Sequence, residues 1–566
     1  MRTRAKALNT LRSYDSVDVL VIGAGINGIG AFRDLAAQGL RVALVDVGDF
    51  CSGTSAAPSR LAHGGLRYLE TREFDLVRES VRERDLLLRN APHTVRPMPV
   101  WLPVYDSFGG LASSLGRAAG FKAPSRRKGL VPIKLGLALY DLFAARSRAL
   151  PRHEVFSGAR ARACLPGLDS SIAWVACYYD ARLTHAERLS VELIADAEAE
   201  NTDAIAVSYM RAGSAHRDTV ELHDQLGEET LRVRPRAIVN TAGAWVDRVN
   251  AGLGVATALV SGNKGSHLVL QRPDLAETLG ERMLYFQTSD NRACLLYALS
   301  QEMVLLGTTD IPVSSADDNV CSDAEIDYLF GVVREVLPTT TFKRSDIVFT
   351  YAGVRPLPRT EGLEPGAVSR GHSVHRHAVG HQRTIPVFTL VGGKWTTFRA
   401  AAEELSEPVL GALGVLRRVN TQTLAIGGGR GFPVDPGEQH VTADALAGDT
   451  GIPRERASKL CARYGADAPI FADAERGAKG EPIEGMPDYT SQEIATLSAR
   501  ERVCRTADVV LRRTAIPFEH RLTPERIAAV NAAVARALEW SAERTAHEQQ
   551  HVLSVLEEVH RVDVTS

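Results

Sequence analysis

The chain reads as an α/β protein, α+β overall. A Rossmann-like three-layer dinucleotide-binding domain carries an inserted antiparallel β-sheet domain and is followed by a C-terminal helical domain. Three observations predict this. A strand–glycine loop–helix–strand–acid unit opens the chain at Asp18, further strand-to-glycine junctions return only at Ala237 and Ile385, and the composition turns Ala-, Glu- and Arg-rich from about residue 405. At 566 residues the chain is long enough for two or three domains. The boundaries expected are 1–404 for the discontinuous first domain, with the insert mainly at about 90–180 and 250–385, and 405–566 for the helical one.

The opening unit is explicit. Asp18–Ile22 is a short apolar strand, Gly23-Ala24-Gly25-Ile26-Asn27-Gly28 is the loop, a helix runs to Gln38 and stops at Gly39, and Val42–Val45 is a second strand ending at Asp46. Gly23 makes the tight turn, Gly25 admits a pyrophosphate to the backbone, and Gly28 lets the helix pack on the strand. Free N–H groups and the positive dipole end of the helix face the anion. Asp46, 18 residues after Gly28, can accept from both ribose hydroxyls of an adenosine. The loop alone does not separate NAD from FAD.

Two later junctions have the same character. Ala237–Asn240 is a strand running into Thr241-Ala242-Gly243-Ala244-Trp245, and Ile385–Val391 is another, running into Gly392-Gly393-Lys394 and a helix. Small residues at such junctions permit close backbone approach. Between them, "GSHLVLQ", "MVLLGTTD" and "DIVFTYAGVRPL" read as strands of an antiparallel sheet. In the C-terminal part, Thr523 is a helix N-cap, Pro524 stands at the first helical position, and Ile527, Val530, Val534 and Leu538 share one face. The glycine-rich "IGGGRGFPVDPGE" before it lacks strand–loop–helix context and reads as a linker rather than a phosphate loop.

Composition excludes several classes. Apolar content of 45%, charged content of 24% and a net charge of −2 are those of an ordinary globular protein, with no electrostatic footprint for nucleic acid. Seven scattered cysteines, an odd number with no CxxC pair, suggest neither a disulfide framework nor a zinc site, and fit a reducing cytoplasm. The basic N-terminus lacks a long apolar region and does not read as a signal peptide. No apolar run reaches spanning length. Residues 111–150 carry eight basic residues and one acid interleaved with Leu, Ile, Phe and Tyr, which suits either an anionic lipid surface or an amphipathic core helix after Pro132. His372, His375, His377 and His381 lack a carboxylate or Cys at ligand spacing, so a solvated hairpin is expected there and no metal.

The run His63-Gly64-Gly65-Leu66-Arg67-Tyr68 is less ordinary. Paired glycines imply a backbone passing close to something, and the Arg and His beside them imply that it is charged. Lys394 is likewise flanked by paired glycines, Arg355 lies in "GVRPL" after a strand at Ile347–Tyr351, and His267 lies in "KGSHLVL".

Together "DVLVIGAGINGIG", "GTSAAPSRLAHGGLRYLE", "YYDARL", "NTAGAWV", "KGSHLVL", "GTTD", "YAGVRPL", "VGGKWTTFR" and "TADVVLRRT", in order over nearly the full length, resemble the FAD-dependent glycerol-3-phosphate dehydrogenase family. The resemblance implies an FAD-binding fold and oxidation of sn-glycerol 3-phosphate to dihydroxyacetone phosphate. It also implies electrons passed to a membrane quinone, and a cytoplasmic protein peripheral on the inner face of the plasma membrane. Ala57, Pro58 and Arg60 depart from the Ser and Lys common in related sequences. The cofactor residues implied are Gly23, Gly25, Ile26, Asn27, Gly28, Asp46, Thr54, Ser55, Ser59, His63, Gly64, Gly65, Ala242, Gly243, Trp245, Gly353, Gly393, Lys394, Thr396 and Thr397. Gly64 and Gly65 are expected to pass under the flavin, with His63 bonding its edge or satisfying a buried carbonyl. The helix beginning near Thr396 is expected to face the flavin pyrimidine.

For the substrate, Arg67, Tyr68, Arg370 and Lys394 are the expected binding residues, Arg370 standing 15 residues after Arg355 and having a surface charge as its alternative. His267 is the expected proton acceptor, near its ordinary pKa of about 6.5, with a core histidine as the alternative reading. Arg355 is expected to stabilise the developing alkoxide. An oxidase passing electrons to oxygen with release of peroxide, or a flavin-containing scaffold without turnover, are the other readings, and a homodimer is left open.

Overall fold

The computed structural model describes residues 3–69, 72–109, 129–145, 149–290, 292–360, 370–380, 383–478 and 480–564. Its first sheet has six strands in the order His372–His377, Val387–Gly392, Pro235–Asn240, Val17–Ile22, Val42–Val45, Ile205–Val207. All neighbours are parallel except the edge strand His372–His377. The inner strands are near-continuous apolar runs because both faces are covered. Val19 and Val21 face the helices Ile26–Ala37, Ala186–Glu200 and Phe398–Leu413. Val17, Leu20 and Ile22 face the opposite layer, built from helix Arg4–Ser13 and a three-stranded sheet over Met210–His216, Thr219–Asp224 and Thr230–Val233.

The second sheet has ten strands. Its spine runs Ile311–Val313, Val260–Gln271, Met303–Gly307, Ala293–Ala298, Met283–Gln287, Val95–Val104, Trp174–Leu183, Leu61–Ala62, with Ile347–Pro358 also paired to Val260–Gln271 and Glu154–Ser157 to Trp174–Leu183. It is antiparallel except that Met283–Gln287 runs parallel to Val95–Val104. The expected antiparallel sheet thus contains one parallel pair, made between segments far apart in sequence that no local turn signal joins. In the register, His267 stands opposite Tyr351, Gly265 opposite Gly353 and Asn263 opposite Arg355. Alternation along the strands then puts His267 and Arg355 on one face.

Two expectations about extent are corrected. His372–His377 belongs to the first sheet, where each of its residues pairs with Val387–Gly392, and not to the inserted domain. Helix Phe398–Leu413 runs past residue 404 because it packs on Ile26–Ala37, with Gly30 against Phe398. The C-terminal part is mainly helical, from Pro436–Thr450 to Ala542–Glu558, with one short hairpin at Pro482–Ile483 and Met486–Thr490. Thr523 caps helix Pro524–Ala537 through the Arg526 N–H, and Ile527, Val530 and Val534 are buried on its inner face. Residues 426–438 are docked rather than free: a Cβ on Gly428 would meet the Tyr464 carbonyl and one on Gly429 the Asn90 carbonyl.

Candidate active site

The glycine loop forms against the second junction. A Cβ on Gly23, whose φ is +101°, would lie 2.8 Å from the Ala242 Cα, and one on Gly28 would strike the Gly23 carbonyl and the Thr241 hydroxyl. Only glycine permits this turn and this helix–loop contact. At Gly243 nothing would meet a Cβ; there the positive φ of +57°, not close approach, favours glycine. The Ile26 N–H, one of the free donors expected at the helix start, donates to Ser55 Oγ at 2.9 Å. Asp46 is oriented by the same loop, accepting from the Ala24 N–H at 2.6 Å and the Gly48 N–H at 2.9 Å. Two of the roughly four acceptor positions of a carboxylate remain. Burial raises the Asp46 pKa to about 6 despite these bonds.

The remaining residues expected at the cofactor close around this loop. Thr54 Oγ1 donates to the Val354 carbonyl at 2.6 Å, and Gly353 is crowded by Ala57 Cβ, so the turn Thr54–Ala56 seats on strand Ile347–Pro358. Trp395 Nε1 donates to the Ser55 carbonyl. A Cβ on Gly393 would meet the Asn27 amide, whose nitrogen donates to the Gly392 carbonyl. Trp245 lies beside Gly53 and donates to Asp317. Helix Phe398–Leu413 starts two residues after Thr396; Thr396 Oγ1 accepts the His63 N–H at 3.1 Å. Among the described residues, the buried Asn27 Oδ1, Thr397 Oγ1 and His267 Nδ1 have no hydrogen-bond partner. A glycine cradle that Cβ atoms would fill, an acid beside it and orphaned polar atoms at its rim together fit a dinucleotide such as FAD.

The paired glycines after His63 have a second reason. A Cβ on Gly64 would lie 2.1 Å from the Tyr140 hydroxyl and 2.7 Å from Val81 Cγ2, and its N–H donates to Asp180 Oδ1 at 2.9 Å. Tyr140 OH donates to the same oxygen at 2.6 Å, and the buried Arg84 reaches both. Gly64 is therefore small because a buried Arg–Asp–Tyr network lies behind it, a reason independent of the expected passage under the flavin. Gly65, at φ +74°, folds back so that a Cβ would strike the Tyr68 ring.

Tyr68 is where the cations gather. Lys394 Nζ lies 4.3 Å from its ring centroid and donates to Ser80 Oγ at 2.8 Å. The phenol pKa is raised by burial against the opposing fields of Arg370, Arg67 and Arg355. Arg355 donates through Nη1 to Asn263 Oδ1 at 3.1 Å and Asp310 Oδ1 at 3.2 Å, and through Nη2 to Thr308 Oγ1 at 3.1 Å. Arg370 approaches the same Asp310 oxygen at 3.7 Å. Burial and the neighbouring Arg370 lower Arg355 to about 10, and burial lowers Lys394 to about 7. Arg67 is exposed on the turn Leu66–Leu69, less enclosed than expected of a phosphate ligand.

His267 differs most from expectation. It is 1% exposed, stacks on Tyr351 at 4.7 Å between centroids, and pairs through Nε2 with Ser59 Oγ at 2.8 Å. Burial, helped by Arg355 and Arg60, pushes its pKa down to about 3, well below the expected value near 6.5. Burial and Lys394 push the His63 pKa to about 4, and the His63 ring faces Tyr68 at 6.2 Å. The departure at Arg60 is explained by a bidentate pair with the buried Glu187 at 2.8 and 2.9 Å, which a Lys would not reproduce.

Sequence reasoning missed Asp310, Asn263, Thr308 and Ser80. Asp310 was reachable, since "GTTD" is one of the stretches that carry the resemblance. The histidine strand takes other partners: His372 with Glu404, His375 with Ser373 and His377 with Thr389, while His381 lies outside the described residues. Of the basic stretch 111–150, residues 111–128 and 146–148 also lie outside them. The helix Leu130–Ala144 is described; it buries Leu137 and Tyr140 and exposes Val131, Leu135 and Leu142. Among the described residues no helix is long and apolar enough to cross a membrane.

Residues 18–407 match the FAD dependent oxidoreductase family, and residues 419–545 match the C-terminal domain of alpha-glycerophosphate oxidase. The chain is 34% identical over 523 residues to a glycerol-3-phosphate dehydrogenase of Synechocystis sp., covering 88% of each. It is 31% identical over 544 residues to glycerol-3-phosphate dehydrogenase 1 of Mycobacterium tuberculosis, covering 93% of this chain and 96% of that one. The fold is that of the glycerol-3-phosphate dehydrogenase of Bacillus halodurans complexed with FAD, with TM-score 0.75, 22% identity, and coverage of 98% of this chain and 97% of that one.

Proposed function

Given that the chain belongs to the FAD-dependent glycerol-3-phosphate dehydrogenase family, we propose that it oxidises sn-glycerol 3-phosphate to dihydroxyacetone phosphate and passes the electrons to a membrane quinone. The observation that carries this reading is the convergence of Arg355, Arg370 and Lys394 around Tyr68, with Arg355 on the same sheet face as His267. A phosphate dianion needs several fixed cations, and a secondary alcohol beside it needs a donor and a proton acceptor. FAD, when bound, accepts the hydride removed from the carbinol carbon.

The chain's own residues do the rest. Arg370 and Lys394 hold the phosphate, with Arg67 contributing from the exposed side. Arg355, fixed by Asn263, Thr308 and Asp310, donates to the carbinol oxygen and stabilises the charge left as its proton departs. His267 Nδ1 accepts that proton, which requires the tautomer whose Nε2–H donates to Ser59. A weak base suffices, because loss of the carbon-bound hydrogen with its electron pair makes the hydroxyl proton strongly acidic. Stacking on Tyr351 excludes water from the ring.

The exposed apolar residues of Leu130–Ala144 support peripheral association with a lipid surface, which favours quinone over oxygen, and the basic residues of 111–150 are the reason for reading that surface as anionic and cytoplasmic. The test is anaerobic mixing with glycerol 3-phosphate: bound flavin should bleach in a single turnover, and an unbleached flavin would leave a scaffold. Stoichiometric peroxide in air, with no quinone reduction, would replace the dehydrogenase with an oxidase.

A further inference from the structure

The segment Thr506–Thr514 is part of the resemblance, yet none of its residues enters the site described above. It lies in the C-terminal part of the chain, and two consecutive arginines there converge on one carboxylate of the first domain. Arg513 grips Asp49 with both terminal nitrogens, Nη1 to Oδ2 at 2.6 Å and Nη2 to Oδ1 at 2.9 Å. Arg512 Nε reaches Asp49 Oδ2 at 2.5 Å, while its Nη2 holds Asp508 Oδ1 at 2.8 Å. Asp49 and Arg513 are each 1% exposed. Burial opposes ionisation of Asp49, but Arg513 and Arg512 overcome it and hold the carboxyl below its ordinary range.

Asp49 sits three residues after Asp46, at the deep end of a loop tied on every side. Asp46 carries the N–H groups of Ala24 and Gly48, and the Ala24 carbonyl accepts the Cys51 N–H at 2.8 Å. The Gly48 carbonyl accepts from Tyr209 N–H, and the Asp46 carbonyl from Met210 N–H at 2.6 Å. Tyr209 OH donates in turn to Asp508 Oδ1, closing the circuit onto Arg512. Buried ion pairs are weak sources of net stability, since desolvation consumes most of their attraction; their best-attested use is to fix one register. Here the register fixed is that of the loop that aims Asp46.

We propose that Arg512 and Arg513 are positioning residues for the dinucleotide: through Asp49 they hold the 46–51 loop so that the Asp46 carboxylate meets the adenosine ribose, making the C-terminal domain part of the cofactor site. The inference rests on the reading of Asp46 as the ribose ligand. A double-mutant cycle on the full-length holoenzyme tests it, with FAD release on dilution followed by flavin fluorescence. Asp46→Asn and Arg513→Gln should each weaken FAD binding about tenfold, and the double variant should be no weaker than the worse single one. KM for glycerol 3-phosphate at saturating FAD should stay within about twofold, because neither residue faces the substrate. If Arg513→Gln does not fold, Arg512→Gln, which leaves Asp49 its bidentate partner, completes the cycle. Additive losses, or an arginine variant that keeps wild-type FAD affinity while Asp46→Asn loses it, would overturn the coupling and leave Asp46 as the ribose ligand. Full affinity in Asp46→Asn would remove that ligand, and the inference with it.

Discussion

Arg355→Ala separates chemistry from binding in this site. The guanidinium now satisfies Asn263 Oδ1, Thr308 Oγ1 and Asp310 Oδ1, and Asp310 is shared with Arg370 at 3.7 Å. Truncation removes the donor assigned to the carbinol oxygen, which in a water-poor site costs on the order of 3 kcal/mol, about a hundredfold in the limiting rate of flavin reduction. It also leaves Asp310 to Arg370 alone, so a smaller loss of substrate affinity follows as Arg370 is drawn away from the phosphate. A third consequence has a definite sign. Arg355 is the largest electrostatic cause, after burial, of the low His267 pKa, so its removal raises that pKa and moves the acid limb of the reduction rate to higher pH. Arg355→Lys keeps the charge but not the fork, and should recover affinity more than rate. Stopped-flow bleaching over a substrate series at several pH values measures all three. A limiting rate within about threefold of wild type, with affinity alone reduced, would make Arg355 a phosphate ligand and refute the assignment.

Lys394, at about 7 in the free protein, should lose its charge as pH rises through neutrality; a phosphate dianion beside it raises that pKa, so apparent affinity should fall by up to about tenfold per pH unit above 7, and Lys394→Arg should flatten the profile. Gly64→Ala should lower stability by about 1–3 kcal/mol or more, because its Cβ meets a Tyr140 hydroxyl locked to Asp180, whereas Gly331→Ala on the exposed face of helix Asp323–Val333 should be neutral or slightly stabilising by thermal melt. Leu135→Glu with Leu142→Glu, at positions 73% and 66% exposed, should reduce flotation with anionic vesicles while leaving anaerobic flavin bleaching intact; unchanged flotation would remove this helix from the proposed membrane face.

What the sequence made legible was whatever must be glycine. Gly23, Gly28 and Gly393 are visible because a Cβ there collides with backbone or with Asn27, and no other residue type fits. The cations proposed to act in the site were legible for a related reason, standing beside or near glycines. Asn263 and Ser80 were not, since nothing marks one Asn of a strand or one Ser of a helix, and only strand pairing brings Asn263 to Arg355 and only the packing of helix Phe74–Asn90 brings Ser80 to Lys394. Burial is equally silent in sequence: nothing in "KGSHLVL" announces that His267 is 1% exposed, stacked on Tyr351 and far from its ordinary pKa. The parallel pairing of Met283–Gln287 with Val95–Val104 spans too much chain for a turn signal to report it.

The C-terminal domain reaches the reacting face by a second route besides Asp49. Strand Ile347–Pro358 carries Arg355 at one end, and along its middle, on the same face, Phe518 packs edge-on against Phe349 and Tyr351 at 5.7 Å. His560 stacks on Phe349 at 4.5 Å and exchanges bonds with the Thr350 backbone. Phe518 also lies under Arg60, 3.9 Å from its ring centroid, one residue from the Ser59 that orients His267. A helical domain that served only as an appendage would not be packed against both the strand of the proposed electrophilic arginine and the turn of the proposed base. The rigidity that the proposed transition-state donor needs is thus supplied along the same strand by residues more than 150 positions away in sequence.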